Sequence, residues 1–330
     1  MKILAMVMAG GNGTRLHPLT AQHAKPALPF AGGYRIIDFV LGNLVNSGAF
    51  PIYVLAQYKP QSLVAHVRNA WAPWSTRRDP AISVVLPETS GAIGPFKGTA
   101  DAVFKNLHLI ERHRPDLVAV FAADHVYRMD IRQMARFHQE RGAEVTIAAA
   151  RVPIGQARAF GIISAGPTGE LHEFEEKPEQ PAAIPGDPNV AFASMGNYLF
   201  NPEVLLELLE EAKEHDAPDF GRHIMPLLPR RKRAWTYDFA RNCIPGVRPH
   251  EERGYWRDIG TVDAYYAAQQ DVLGPLPRFN LANPEWPIPC GAQRMLGTPR
   301  RAKSEADFPR LSGNRPSHDS AMHASSADAR

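Results

Sequence analysis

The chain of 330 residues has room for about two domains, and its 44% hydrophobic and 22% charged composition excludes disordered, collagen-like and disulfide-dense chains. The formal net charge of +3 is too small for a nucleic-acid footprint or for attraction to a membrane surface, and residues 291–330 carry all of it, leaving 1–290 neutral. Two cysteines, Cys243 and Cys290, make neither a disulfide framework nor a CxxC metal site, which points to a reducing compartment.

Along the first 150 residues, short apolar runs alternate with helical patterns. Strands are predicted at 3–9, 52–57, 82–86, 117–122 and 145–150, with helices between them at 37–47, 62–71, 99–112 and 131–140. The run Leu117-Val118-Ala119-Val120-Phe121-Ala122-Ala123 is apolar throughout, as a strand buried on both faces is. The alternation predicts an α/β, Rossmann-like domain: a mostly parallel central sheet flanked by helices, with ligands at the carboxyl ends of its strands. The apolar start behind Lys2 imitates a signal peptide, but it runs straight into a glycine-rich phrase, so a cytoplasmic location is expected. No apolar run approaches the roughly 20 residues that span a membrane.

From residue 151 the rhythm changes. Shorter strands are predicted at 161–165, 171–177 and 194–200, followed by helices at 202–215, 220–228 and 261–273. One domain is expected over 1–275, and the proline-rich stretch 276–289 is expected to be a linker. Beyond it, Leu296, Phe308 and Leu311 are the sole Leu, Ile, Val or Phe residues. That stretch cannot bury enough surface to offset ordering entropy, so 290–330 is predicted to be disordered.

Four segments carry chemistry. The first is Gly10-Gly11-Asn12-Gly13-Thr14-Arg15-Leu16, followed by Lys25-Pro26. Glycines after a strand let backbone N–H groups cradle a polyphosphate. Arg15 can grip phosphate oxygens bidentately, and Lys25 adds a second charge. Leu16 stands where a dinucleotide fingerprint needs glycine, and no Gly-Lys-Ser/Thr follows for a Walker loop. The second is Asp124, at the end of an apolar strand, where a hard oxygen ligand suits phosphate-bound Mg²⁺; the plainer alternative is a turn residue. Asp130 is the expected N-cap of the next helix. The third is Tyr255-Trp256-Arg257-Asp258-Ile259-Gly260-Thr261, in which Asp258 is either a second carboxylate ligand or a loop residue paired with Arg257. The fourth is Glu173-Phe174-Glu175-Glu176-Lys177-Pro178. There Glu176 can accept sugar hydroxyls and Lys177 can hold a phosphate, unless the segment is simply a solvated charged edge strand. Gly98 opens a helix where backbone approaches a ligand closely, and Phe96 beside it is placed to stack on a base or to pack in the core.

Taken together, these phrases resemble the sugar-1-phosphate nucleotidyltransferase family, and more narrowly its adenylyl-transferring members acting on glucose 1-phosphate in bacterial glycogen synthesis. The strings Gly98-Thr99-Ala100-Asp101-Ala102, Ser194-Met195-Gly196 and Tyr255 to Thr261 carry the narrower likeness, which runs from residue 3 to about 288. The resemblance implies that glucose 1-phosphate attacks the α-phosphorus of ATP in line and that pyrophosphate leaves. By position, Gly10, Gly11, Gly13, Thr14, Arg15 and Lys25 would hold the triphosphate, with Phe96 and Gly98 near the adenine. Arg15, Lys25 and Asp124 would be catalytic, Asp124 and Asp258 would hold Mg²⁺, and Gly161, Glu176, Lys177 and Ser194 would hold the sugar phosphate. It also implies a homo-oligomer, commonly a tetramer, and no nucleic-acid or membrane partner. Three positions depart from the family pattern. Asn12 stands where arginine is usual, Phe96 where tyrosine is frequent, and Gln22 at an activator-site lysine, which leaves sugar-phosphate activation in question. Family members continue into a left-handed β-helix of hexapeptide repeats, whereas the tail here has neither Ile nor Val, so a frameshift or truncation near Cys290 is expected. The alternatives are a GTP-, UTP- or dTTP-specific relative and a non-catalytic regulatory or truncated defective paralogue.

Overall fold

The computed structural model describes residues 1–75, 80–87, 94–231 and 233–290. The tail predicted to be disordered lies, from 291 on, outside the described residues. In chain order the first elements are β1 (Ile3–Ala9), β2 (Pro29–Phe30), β3 (Tyr34–Arg35), α1 (Ile37–Asn46), β4 (Ile52–Ala56), α2 (Gln61–Ala70), α3 (Ala72–Ser75) and β5 (Ile82–Val85). There follow α4 (Thr99–Phe104), α5 (Leu107–His113), β6 (Leu117–Ala122), β7 (His125–Tyr127), α6 (Ile131–Glu140), β8 (Val145–Pro153), β9 (Gly161–Ala165) and β10 (Leu171–Glu176). The last are β11 (Val190–Phe200), α7 (Pro202–Glu214), α8 (Leu228–Arg231), β12 (Ala234–Asp238), β13 (Trp256–Asp258) and α9 (Val262–Asp271).

Strands β5, β4, β1 and β6 form the parallel heart of a nine-stranded sheet. Antiparallel β11, β9 and β10 extend it beyond β6, while β8 pairs with β11 and β12 runs parallel to β8. Because side chains alternate across a strand, β1 feeds two cores. Ala5, Val7 and Ala9 pack with α1, α2 and α6 on one face; Leu4 and Met6 pack with α4, α5 and α7 on the other. This is the α/β arrangement expected from the alternating pattern.

Two expected helices are interrupted. The helix expected over 99–112 breaks at Asn106, whose side-chain amide donates to the Ala102 carbonyl at 2.8 Å and competes with the backbone ladder. The helix expected over 220–228 becomes a π-helical turn at Phe220–Ile224, a 3-10 turn at Met225–Leu227 and the short α8. Pro226 and Pro229 each remove a backbone donor there. Helix α6 begins as expected, with Asp130 accepting from the Arg132 N–H at 3.0 Å.

The proline-rich stretch expected as a linker lies along the domain. Phe279, Trp286, Ile288 and Cys290 are buried. A Cβ at Gly42 of α1 would lie 3.3 Å from the Ile288 side chain. The Trp286 Nε1 donates to Asn43 Oδ1 at 3.1 Å, and Asn46 donates to the Pro287 carbonyl at 2.8 Å. This strap joins a third core of Leu16, Phe30, Phe39, Val126 and Ile259, which seats the glycine-rich phrase against β7 and β13.

Candidate functional site

The site begins where β6 ends. Two residues on, Asp124 precedes β7, which pairs antiparallel with β13. In that register Asp258 lies opposite His125 and Trp256 opposite Tyr127, so a two-stranded ladder brings together carboxylates 134 positions apart. The Asp124 and Asp258 carboxylates and the His125 ring offer donor atoms within 4.8 Å of one another. His125 Nε2 lies 3.4 Å from Asp124 Oδ1 and 3.5 Å from Asp258 Oδ1. Lys25, from a 3-10 turn after the glycine phrase, places its ammonium 2.6 Å from Asp124 Oδ2 and 3.5 Å from Asp258 Oδ1.

The charges sustain one another. Burial works against the Lys25 ammonium, but the two carboxylates reverse that and hold its pKa above the ordinary lysine value. Burial likewise works against both aspartates, yet Lys25 holds the Asp124 carboxyl well below the usual carboxylate range. Contact with His125 and the Lys25 charge lower Asp258 as well. At neutral pH the two carboxylates therefore stand ionised beside the Lys25 ammonium. Two hard anionic donors converging on one point, at a locus that already accepts positive charge, fit a divalent cation.

The glycine phrase is anchored beside this cluster. Gly13 has φ +66°, and a Cβ there would meet Thr20 at 3.0 Å and the Lys25 Cβ at 3.4 Å. The Thr20 hydroxyl donates to the Gly13 carbonyl at 2.8 Å, and Lys59 Nζ donates to the Thr20 carbonyl at 2.6 Å. Gly11, Thr14 and Arg15 are exposed on the loop. Arg15 is close enough to Lys25 to oppose its charge, and its Nη1 would lie 3.7 Å from a Cβ at Gly260. Gly10 packs on Gln57, whose side-chain amide bonds the Phe96 N–H and the Phe96 carbonyl. Phe96 itself is half-buried against the second core.

Gly98 leads into α4, and a Cβ there would come within 2.6 Å of the Pro218 carbonyl oxygen. That oxygen accepts from the Ala100 and Asp101 N–H groups. A Gly98→Ala substitution must push the 98–101 turn off Pro218. It is expected to cost about 1–3 kcal/mol, read as a lower midpoint in urea unfolding.

A second group assembles around Glu176. A Cβ at Gly161 or at Gly221 would lie 3.0 Å from Glu176 Oε2, so both glycines leave room for that carboxylate. Lys177, at φ +53°, places Nζ 2.8 Å from Glu176 Oε1. Arg158, Lys177, Pro178, Glu179 and Gln180 line an open cleft of about 350 Å³. Ser194 Oγ accepts the Gly196 N–H at 3.2 Å, closing a bulge in β11 where Gly196 takes φ +65°. Gly161, Glu176 and Lys177 thus form one group, while the Ser194 hydroxyl is engaged with the Gly196 N–H in the bulge. The segment of Pro218 to Gly221 touches both Gly98 and Glu176, while the Phe160 ring lies tilted against Trp256, with centroids 5.4 Å apart. These contacts link the groups read from separate motifs.

Sequence reasoning missed His125, Gln57, Trp256 and the 218–221 turn. The apolar run that ends before Asp124 points to a carboxylate and gives the neighbouring His125 no role, and nothing in it shows that β13 returns alongside. Arg257, the alternative partner of Asp258, instead pairs with Glu252 at 2.7 Å and Asp271 at 2.9 Å.

A mixed sheet with a parallel heart, a glycine phrase after its first strand and two carboxylates gathered at the end of β6 are the features of a nucleotide-handling α/β enzyme. The chain belongs to the nucleotidyl transferase family, whose model matches residues 4–274, and it is a nucleotidyltransferase. It is 50% identical over 290 residues to the glucose-1-phosphate adenylyltransferase of Thermodesulfovibrio yellowstonii, covering 87% of this chain and 70% of that one. It is 48% identical over 295 residues to the protein of the same name from Thermus thermophilus, covering 87% and 71%. It is 49% identical over 292 residues to that of Anaeromyxobacter dehalogenans, covering 87% and 70%.

Proposed function

We propose that the protein transfers the adenylyl group of ATP to α-D-glucose 1-phosphate, giving ADP-glucose and pyrophosphate for α-glucan (glycogen) synthesis. The observation that carries this is its near-50% identity, over 87% of the chain, to three proteins named for that reaction; the span matched by the family model, 4–274, includes every site residue above.

The substrate phosphate is the nucleophile, so the protein needs no covalent intermediate. Its task is to align the reactants and to neutralise charge. In this proposal the N–H groups of Gly10, Gly11 and Gly13, with Thr14, Arg15 and Lys25, hold the triphosphate. Phe96 and Gly98 border the base. Gly161, Glu176, Lys177 and Ser194 hold the sugar phosphate: Glu176 faces hydroxyls, and Lys177 faces the attacking phosphate. Asp124 and Asp258 would hold Mg²⁺, which when bound neutralises phosphate charge. Of the chain's own cations, Arg15 and Lys25 are placed to stabilise the charge that builds on the phosphates as the bond to pyrophosphate breaks. The domain is proposed to cover 1–275, with the strap laid against it. Two free cysteines, Cys243 and Cys290, support a cytoplasmic setting. Among the described residues no helix is long and apolar enough to cross a membrane.

A panel of ATP, GTP, UTP and dTTP with glucose 1-phosphate and Mg²⁺, read as pyrophosphate release, tests the proposal. ATP is expected to give the highest kcat/KM; preference for another nucleotide, or no turnover with any, overturns it.

A further inference from the structure

The Lys25 ammonium occupies the space between the two carboxylates that would receive a divalent ion. It lies 2.6 Å from Asp124 Oδ2 and 3.5 Å from Asp258 Oδ1, and its side chain is 10% exposed. We propose that Lys25 is an internal counter-cation that competes with the divalent ion for Asp124 and Asp258 in the nucleotide-free protein and gives up those carboxylates for the triphosphate when nucleotide binds. This inference rests on the reading that the two carboxylates are the metal ligands.

The argument is electrostatic and geometric. An ion that took these oxygens would share them with an ammonium already 2.6 Å from Asp124 Oδ2, and a +2 and a +1 charge held on one carboxylate repel. His125 Nε2, at 3.4 and 3.5 Å, faces the same two carboxylates and leaves them little freedom to separate. Arg15 adds a further positive charge near Lys25. Lysine, unlike a fixed ligand, can leave: its ammonium rides on a flexible four-carbon stem. The Lys25 Cβ lies 3.4 Å from where a Gly13 Cβ would stand, so the root of that stem borders the glycine phrase. A triphosphate seated there offers the ammonium new anionic partners. Competition then ends, and metal and nucleotide each raise the other's affinity, as linkage requires.

The test uses the full chain without nucleotide, with Mn²⁺ as the probe and free Mn²⁺ read by electron paramagnetic resonance. Lys25→Gln is expected to bind Mn²⁺ at least tenfold more tightly than the wild type. Lys25→Met, which keeps the apolar stem, is a second neutral variant in case the first is poorly folded, and it is expected to do the same. Lys25→Arg, which keeps the charge, is expected to stay within threefold of the wild type. Neutral variants that bind Mn²⁺ no more tightly than the wild type overturn the proposal. Adding Asp124→Asn to Lys25→Gln is expected to abolish the gain. If the gain survives Asp124→Asn, the ion sits elsewhere; the assignment of Asp124 as a ligand then fails, and the competition proposed for it fails with it, whereas neutral variants without any gain overturn the competition alone.

Discussion

Replacing Asp124 with asparagine is expected to lower kcat by about 10²–10³ while leaving the fold intact. The change keeps the side chain's shape and removes one of two carboxylates that converge with His125 and Lys25. Half-exposed at the site's mouth, with 32% of its side chain accessible, Asp124 is not a core residue. Its loss is therefore expected to move the thermal midpoint far less than it moves turnover. Steady-state kinetics beside a melting curve checks both halves. A variant with wild-type kcat would remove Asp124 from the proposed metal site. A variant that fails only because it unfolds would show the loss in the melting curve first.

The second large effect is on stability, at Glu251. Its carboxylate accepts from Arg128 Nη1 at 2.9 Å, from the Arg248 N–H at 2.9 Å and from the Asn280 N–H at 2.8 Å. The two side chains are 4% and 2% exposed, and the Arg128 guanidinium lies 4.1 Å over the Phe279 ring. Glu251 therefore ties the segment after β7 to the strap. Glu251→Ala leaves a buried guanidinium without its anion and is expected to cost about 3–5 kcal/mol, or about 10 °C in Tm. Burial opposes the Glu251 charge, but the two backbone N–H groups and Arg128 hold its pKa below the ordinary value of 4.5. The contribution is therefore complete above pH 4.5 and is lost as the pH falls through the lower folded value. A Glu251→Gln variant is expected to lack that part of the acid limb in a Tm–pH series; an unchanged limb would refute the assignment.

Much of this architecture is legible in the residues. Strands β1, β4 and β6 are buried on both faces, so they read as unbroken apolar runs. Helix α6 announces its start through Asp130. The motif at Ser194-Met195-Gly196 has a physical basis: the bulge in β11 needs a residue at positive φ, and the Ser194 hydroxyl closes it. What stays hidden is non-local. Strands β7 and β13 are three residues each, too short for a periodicity, and they find one another across 130 positions. The convergence of Asp124, His125 and Asp258 depends on that pairing. The 218–221 turn is hidden for a similar reason: Pro218 matters because its carbonyl faces Gly98, a residue 120 positions earlier. The glycine-rich phrase is legible because its signal is local.

The strap also sets a timetable. Asn43 and Trp286 are 243 residues apart, so at a synthesis rate of roughly 5–20 residues per second about 12–50 seconds pass before the first meets the second. Throughout that interval helix α1 presents Gly42 and Asn43 without Ile288 and Trp286 to cover them. Helix α1 thus waits on a segment made 243 residues later, and during that wait its uncovered surface is open to any chaperone that recognises unfinished structure.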